Sequence, residues 1–122
     1  MLGIAIVSHV PEIAVGVKKL ISQVSGNTPI TIAGGTNEGN IGTSMEKIKD
    51  AFSDNQANEI LAFYDLGSAK MNLELAKEFC EKKIHIYDVA LVEGAYIAAS
   101  LIPTGEKIDK IEHQLSQVEL KK

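Results

Sequence analysis

The stretch Leu2-Gly-Ile-Ala-Ile-Val7, followed at once by Ser8-His9-Val10-Pro11-Glu12, decides the fold of this 122-residue chain. Its continuous apolar run, with β-branched Ile4, Ile6 and Val7, reads as a strand buried on both faces. That is the signature of a parallel sheet rather than of a half-solvated antiparallel one. Pro11 suits the first position of a helix, where its missing N–H costs nothing, and Glu12 complements the positive end of the helix dipole. Ile13, Val17, Leu20, Ile21 and Val24 recur at helical spacing and are expected on one buried face. Gly26 and Asn27 stop the helix.

The same alternation continues along the chain. Ile30 to Ala33 is a second strand, and a loop with Gly34, Gly35, Gly39 and Gly42 follows it. Thr43 and Glu46 stand in a capping-box relation, and Met45, Ile48 and Phe52 give the next helix its buried stripe. Ile60 to Tyr64 is a third strand ending at Asp65. Gly67 and Ser68 then lead into a helix with Met71, Leu75 and Phe79 on one face. Ile84 to Tyr87 is a fourth strand. Val89 to Leu101 is apolar nearly all round and should be a largely buried helix. Thr104 is expected to start the last helix, with Ile108, Ile111, Leu115 and Val118 inward.

Four strands alternating with helices predict an α/β fold, a doubly wound and mainly four-stranded parallel sheet in the order 2-1-3-4. Residues 1–122 read as one domain, with no repeat, low-complexity tract or linker. In this order the winding reverses beside the first strand, and ligands bind in the crevice beyond the strand C-termini at such a point. His9 and Asp65 should line that crevice together.

Composition narrows the function. The net charge of −4 gives no broad attraction to nucleic acid or to an anionic membrane. All twelve basic residues are lysine, so the bidentate phosphate clamp that arginine supplies is absent, which argues against a self-sufficient kinase or nuclease site. Cys80 is the single cysteine; no disulfide forms within one chain, and a buried structural thiol is expected. The N-terminal apolar run lacks the leading positive charge of a signal peptide, and no apolar run reaches membrane-spanning length. A cytoplasmic setting is expected by elimination.

His9 is the candidate for chemistry. A neutral imidazole is a competent nucleophile near pH 7, since its unperturbed pKa is about 6.5. The helix opened at Pro11 aims free N–H groups at an anion held there. Asp65 is placed to accept from the second ring nitrogen, which fixes the tautomer and raises ring basicity. The alternative roles are a packing histidine at a strand end and an aspartate that caps the following helix. The glycine loop is neither a P-loop, because Gly42-Thr43-Ser44 lacks the lysine, nor a dinucleotide fingerprint. His85 reads as a satisfied sheet-face histidine, His113 as solvated, and Glu93 as a complement to its helix dipole. No His, Cys and acid cluster has metal-ligand spacing.

Val7-Ser8-His9 after the first strand, Gly34-Gly35 after the second and Asp65 after the third together resemble the IIA domain of the mannose-class sugar phosphotransferase system. The segment Asp65-Leu-Gly-Ser-Ala-Lys-Met-Asn72, with Gly42-Thr43-Ser44 and Val92-Glu93-Gly94-Ala95, is similar to the phosphoryl-carrier subunits of phosphoenolpyruvate-dependent dihydroxyacetone kinases. The resemblance covers essentially the whole chain. It implies a cytoplasmic homodimer that takes a phosphoryl group from an HPr-type histidine carrier onto His9, at Nε2. The group would pass to ADP on a partner kinase subunit. The resemblance also implies that Asp65 orients the ring and that Gly35, Thr36, Gly67 and Ser68 surround the phosphoryl group. ADP, ATP and metal are expected on the kinase subunit, with no cofactor on this chain. Some members that it resembles carry further carrier domains behind this one, whereas this sequence ends after its last helix at Lys121 and Lys122, so it is expected to depend on separate upstream proteins. Two other readings stay open: a mannose-class IIA domain feeding a sugar-transporter IIB domain, and a non-catalytic binding module. A receiver-type aspartyl module fits poorly, because Glu12 is the only acid near the first strand.

Overall fold

The structure is a computed structural model that describes residues 1–120. Its strands are β1 (Leu2–Ser8), β2 (Ile30–Gly34), β3 (Glu59–Tyr64) and β4 (Lys83–Tyr87). The helices are α1 (Pro11–Ile21), α2 (Met45–Asp54), α3 (Lys70–Glu78), α4 (Leu91–Leu101) and α5 (Ile108–Leu115). The four strands form one sheet in the order β2-β1-β3-β4, and every pairing is parallel. The register sets Val7 opposite both Ala33 and Tyr64, so the C-terminal ends of β1, β2 and β3 open on the same edge.

The period-2 geometry of β1 splits its side chains between two cores. Ile4 and Ile6 pack with Leu61, Phe63, Ala14, Val17 and Ile21 on the face covered by α1, α4 and α5. Ala5 and Val7 pack with Ala62, Ile48, Phe52 and Leu73 on the face covered by α2 and α3. Both faces are dry, which is why β1 has no polar residue before Ser8. Each large side chain buried here contributes about 1.5–3 kcal/mol relative to exposure. The small residues Gly94, Ala95, Ala98 and Ala99 are the buried face of α4 and let it lie close to the sheet.

The helices differ from the sequence expectations in how they face. On α1, Ala14, Val17 and Ile21 are buried, while Ile13 and Leu20 are 43% and 42% exposed. The core takes the narrower stripe and leaves the flanking pair outside. On α3, Leu73 and Ala76 are buried and the expected stripe of Met71, Leu75 and Phe79 faces out. The α2 cap lies one residue later than expected: the Ser44 hydroxyl accepts from the Lys47 N–H at 3.2 Å, and the Thr43 hydroxyl instead accepts from Asn72 Nδ2 at 2.9 Å. Helix α4 starts at Leu91 rather than Val89, and Val92 and Tyr96 on it are exposed. Ile102–Thr104 form a short 3-10 turn ended by Gly105 at φ +83°, so the last helix begins after Lys107 and not at Thr104. Cys80 is half-buried at the edge of the second core.

Candidate functional site

The site lies where β1 and β3 end side by side. Ser8 is the last residue of β1 and is fully buried. A polar side chain at the end of a dry strand must find partners, and Ser8 finds two. Its hydroxyl donates to Asp65 Oδ2 at 2.7 Å and accepts from the Val10 N–H at 3.1 Å. The second bond turns the chain from strand into α1, and His9 projects from that turn.

Asp65, just past β3, receives four donors. Oδ2 accepts from Ser8 Oγ at 2.7 Å and from the His9 backbone N–H at 3.0 Å. Oδ1 is 2.9 Å from His9 Nδ1 and accepts from the Leu66 N–H at 2.8 Å. Burial pushes the Asp65 carboxyl up. The bonds from Ser8, the His9 ring and the backbone of His9 and Leu66 outweigh that and hold it below its ordinary value. An ionised carboxylate only accepts, so the Nδ1 facing it carries the ring proton. In the neutral ring the lone pair then lies on Nε2, where it accepts from the Ser68 hydroxyl at 2.7 Å. The His9 side chain is 15% exposed, so the ring is held inside the crevice with one nitrogen toward its mouth.

Two walls border the His9 turn. One is the 3-10 turn Gly67–Ala69, which runs directly into α3 and carries Ser68. Lys70 Nζ donates to Asp88 Oδ2 at 2.8 Å, and Asp88 also accepts from the Tyr64 hydroxyl. These bonds tie the turn to the end of β4. Burial and the Asp88 hydrogen bond together raise the Tyr64 pKa, so that hydroxyl stays a donor. The other wall is the glycine loop. Gly35, at φ +75°, gives its N–H to Ser8 O at 3.0 Å, and a Cβ there would lie 2.8 Å from Asn40 O and from Pro11 Cγ. Thr36 N–H goes to Asn40 O at 2.9 Å, and Gly42 N–H goes to His9 O at 2.9 Å. The loop spends these three N–H groups on its own shape and on holding the His9 backbone. The Asn72–Thr43 bond joins the two walls.

His9, Asp65, Ser68 and the adjacent Gly67 therefore meet at one point. Gly35 and Thr36 stand behind the His9 backbone with their N–H groups engaged. Sequence reasoning gave no role to Ser8, Lys70 or Asn72. The signal for Ser8 was available: it is the one hydroxyl closing an otherwise apolar strand. His85 lies on β4 and reaches Glu59 at 2.7 Å, at the opposite end of the sheet edge from the crevice. His113 is exposed. A groove between α4 and α5, lined in part by Ile97, Leu101, Lys110 and His113, shares no residue with the site. Among the described residues no group of three His, Cys, Asp or Glu side chains is arranged to hold a metal ion, and no helix is long and apolar enough to cross a membrane.

Comparison with known proteins gives the family of the chain. Residues 3–112 match the EIIA-man family model, described as the PTS system fructose IIA component. The chain is 46% identical over 120 residues to the Lactococcus lactis subsp. lactis phosphotransferase subunit DhaM of PTS-dependent dihydroxyacetone kinase, covering 98% of both chains. It is 41% identical to the Listeria innocua phosphoryl donor subunit DhaM of PEP-dependent dihydroxyacetone kinase 1, covering 98% of this chain and 96% of that one. The crystal structure of a protein of unknown function, EF1359, superposes with a TM-score of 0.85 at 32% identity, over 98% of this chain and 96% of that one.

Proposed function

The chain belongs to the EIIA-man family together with these DhaM subunits, and from that premise we propose that it carries a phosphoryl group on His9 for a phosphoenolpyruvate-dependent dihydroxyacetone kinase. The observation that carries the reading is the Ser68–His9–Asp65 chain of hydrogen bonds, 2.7 Å at Nε2 and 2.9 Å at Nδ1.

The chemistry follows from that chain. The Nε2 lone pair attacks phosphorus of an incoming phosphohistidine on an HPr-type donor. The N–P bond to Nε2 forms as the donor's N–P bond breaks, and the donor nitrogen keeps the electron pair. Nδ1 keeps its proton, and the positive charge that the ring gains is met by the Asp65 carboxylate. The Ser68 hydroxyl leaves the lone pair and turns to donate to a phosphoryl oxygen. In the second transfer a β-phosphate oxygen of ADP, bound on the kinase subunit, attacks the same phosphorus. The Nε2–P bond breaks, the lone pair returns to Nε2, and ATP is formed on the partner. This chain binds neither the nucleotide nor the sugar, and metal belongs with the nucleotide.

The absence of arginine suits this role. A carrier whose site clamped the phosphoryl group with bidentate bonds would favour the loaded state and slow its release. The mannose-class reading, in which the acceptor is a transporter IIB domain, draws on the family model's description as a sugar IIA component. One experiment separates the two. The chain is loaded with phosphoenolpyruvate and the general phosphotransferase proteins, then offered either an ADP-loaded dihydroxyacetone kinase subunit or a mannose-class IIB domain. Drainage of phosphorylated His9 by the kinase subunit alone supports the first reading; drainage by the IIB domain alone supports the second.

A further inference from the structure

Two side chains in the first turn of α3 fasten it in opposite directions across the sheet. Lys70 Nζ reaches Asp88 Oδ2, just past β4, at 2.8 Å. Asn72 Nδ2 donates to Thr43 Oγ1, in the loop after β2, at 2.9 Å. His9 follows β1, which lies between β2 and β3, so the second bond links the elements on either side of it. Thr43 is joined to Gly42, whose N–H holds the His9 carbonyl at 2.9 Å. Asn72 stands one turn after Ser68, whose hydroxyl holds Nε2 at 2.7 Å. These bonds and the chain between them form a closed circuit on His9. It leaves from Nε2 through Ser68 and Asn72 and returns through Thr43 and Gly42 to the His9 carbonyl.

We infer that Asn72 is a positioning residue for phosphoryl transfer: through Thr43 it holds the Ser68 turn at a fixed distance from the His9 backbone, so that the Ser68 hydroxyl meets Nε2. The inference rests on the carrier reading above. Asp65 fixes Nδ1 and the His9 N–H, but it does not set where Ser68 stands. Before Ser68 the turn is loosely packed. Leu66 is 58% exposed, and a Cβ on Gly67 would meet nothing within 4 Å. Ser68 must then be placed from the α3 side, where Ala69 is buried and Lys70 and Asn72 are bonded. Asn72 is the one of these three whose partner, through Gly42, also holds His9. The loop end needs the tie as well. Gly42 has φ +142°, and Thr43 is where the loop gives way to the Ser44 cap of α2. An amide from α3 on Thr43 keeps the Gly42 N–H aimed at the His9 carbonyl. In transfer the Ser68 hydroxyl must move from the Nε2 lone pair to a phosphoryl oxygen, and a misplacement of about 1 Å in such a site can cost about 100-fold in rate.

The test uses Asn72→Leu and Thr43→Val, which each remove one end of the bond, their double variant, and Thr43→Ser, which keeps the hydroxyl. Circular dichroism confirms the fold of each. Loading by phosphorylated HPr is followed by rapid quench, and the two His9 ring nitrogens of the unloaded, neutral ring are followed by nitrogen-15 NMR. Each single variant should lower the saturating rate by about tenfold and leave the half-saturating HPr concentration unchanged. The Nε2 signal should move toward that of a ring nitrogen without a hydrogen bond, while Nδ1, held by Asp65, stays in place. The double variant should be no slower than either single one, because both remove the same bond, and Thr43→Ser should match the wild type. An unchanged rate or an unmoved Nε2 signal overturns the inference. A raised half-saturating concentration at an unchanged rate overturns it too, since the pair would then contact the donor. So do rate losses that multiply in the double variant, and an Nδ1 signal that moves with Nε2, which would mean general loosening of the site. A wild type that HPr never loads fails the carrier reading itself and takes the inference with it, whereas slow variants beside a loaded wild type bear on Asn72 alone.

Discussion

Asp65 binds His9 twice. One carboxylate oxygen lies 2.9 Å from ring Nδ1 and the other accepts the residue's own backbone N–H at 3.0 Å. Holding ring and backbone of a single residue with one rigid group fixes both where His9 sits and which way its ring turns. Ser8 and Leu66 supply the remaining donors, so the carboxylate is saturated and has little freedom to swing away.

Replacing Asp65 by Asn tests that relationship. All four groups around the carboxylate present hydrogens, so an amide set either way puts its NH2 against two donors. The ring is then free to take the other tautomer, with the proton on Nε2 and no lone pair toward the mouth. Asp65→Asn should keep the fold and slow phosphoryl transfer by about 10–100-fold. Rapid-quench kinetics beside a circular dichroism spectrum check both halves. A normal rate removes Asp65 from the mechanism.

Ser68→Ala removes the hydroxyl 2.7 Å from Nε2. A hydrogen bond to a charged group is worth about 1.5–3 kcal/mol, and that bond is expected on the phosphoryl oxygen once the group is in place. The loaded form of Ser68→Ala should therefore be less stable, with the equilibrium level of phosphohistidine against HPr lowered by about tenfold or more. Phosphorus NMR on the equilibrated mixture measures the ratio. An unchanged ratio confines Ser68 to the unloaded state.

The lowered Asp65 pKa has a consequence for acid stability. The folded state holds the Asp65 proton less tightly than the unfolded chain does. Its contribution is therefore complete above the ordinary carboxyl value of 3.8 and is lost as pH falls through the lower folded value. Urea midpoints measured from pH 7 down to pH 3 should fall more steeply for the wild type than for Asp65→Asn. Parallel curves would show that the four bonds do not favour the ionised form.

Gly34→Ala probes the joint between β2 and α1. A Cβ at Gly34 would lie 2.6 Å from Pro11 Cα and 3.2 Å from the Ala14 Cβ. Backbone gives way less readily than a side chain, so the strand end must shift. A loss of about 1–3 kcal/mol in unfolding free energy is expected, together with slower transfer because Pro11 follows the His9 turn. Wild-type stability would mean that the α1 N-terminus moves freely.

The strands and their order were legible because a doubly buried parallel strand leaves an uninterrupted apolar run, as in Leu2 to Val7, and because few chain orders fit four such runs with helices between them. His9 and Asp65 were legible from the same reasoning, as the residues following two strands that the order makes neighbours. The facing of α3 was not. Its sequence carries two stripes, and spacing alone favours the larger, Met71-Leu75-Phe79. The space against α2, where Ala51 is buried, instead takes Leu73 and the small side chain of Ala76. The part played by Ser8 was legible only in outline: a hydroxyl closing an apolar strand needs partners, but that they are Asp65 and the Val10 N–H is set only once the chain has turned at Val10.

The most direct test is intact-protein mass spectrometry of wild type and His9→Ala after mixing with phosphoenolpyruvate and the general phosphotransferase proteins, followed by the ADP-loaded kinase subunit and dihydroxyacetone. The account predicts that the wild type gains one phosphoryl group, mapped to His9 and lost when the acceptor mixture is added, while His9→Ala gains none. A phosphoryl group that persists on His9→Ala, or a wild type that never acquires one, contradicts it.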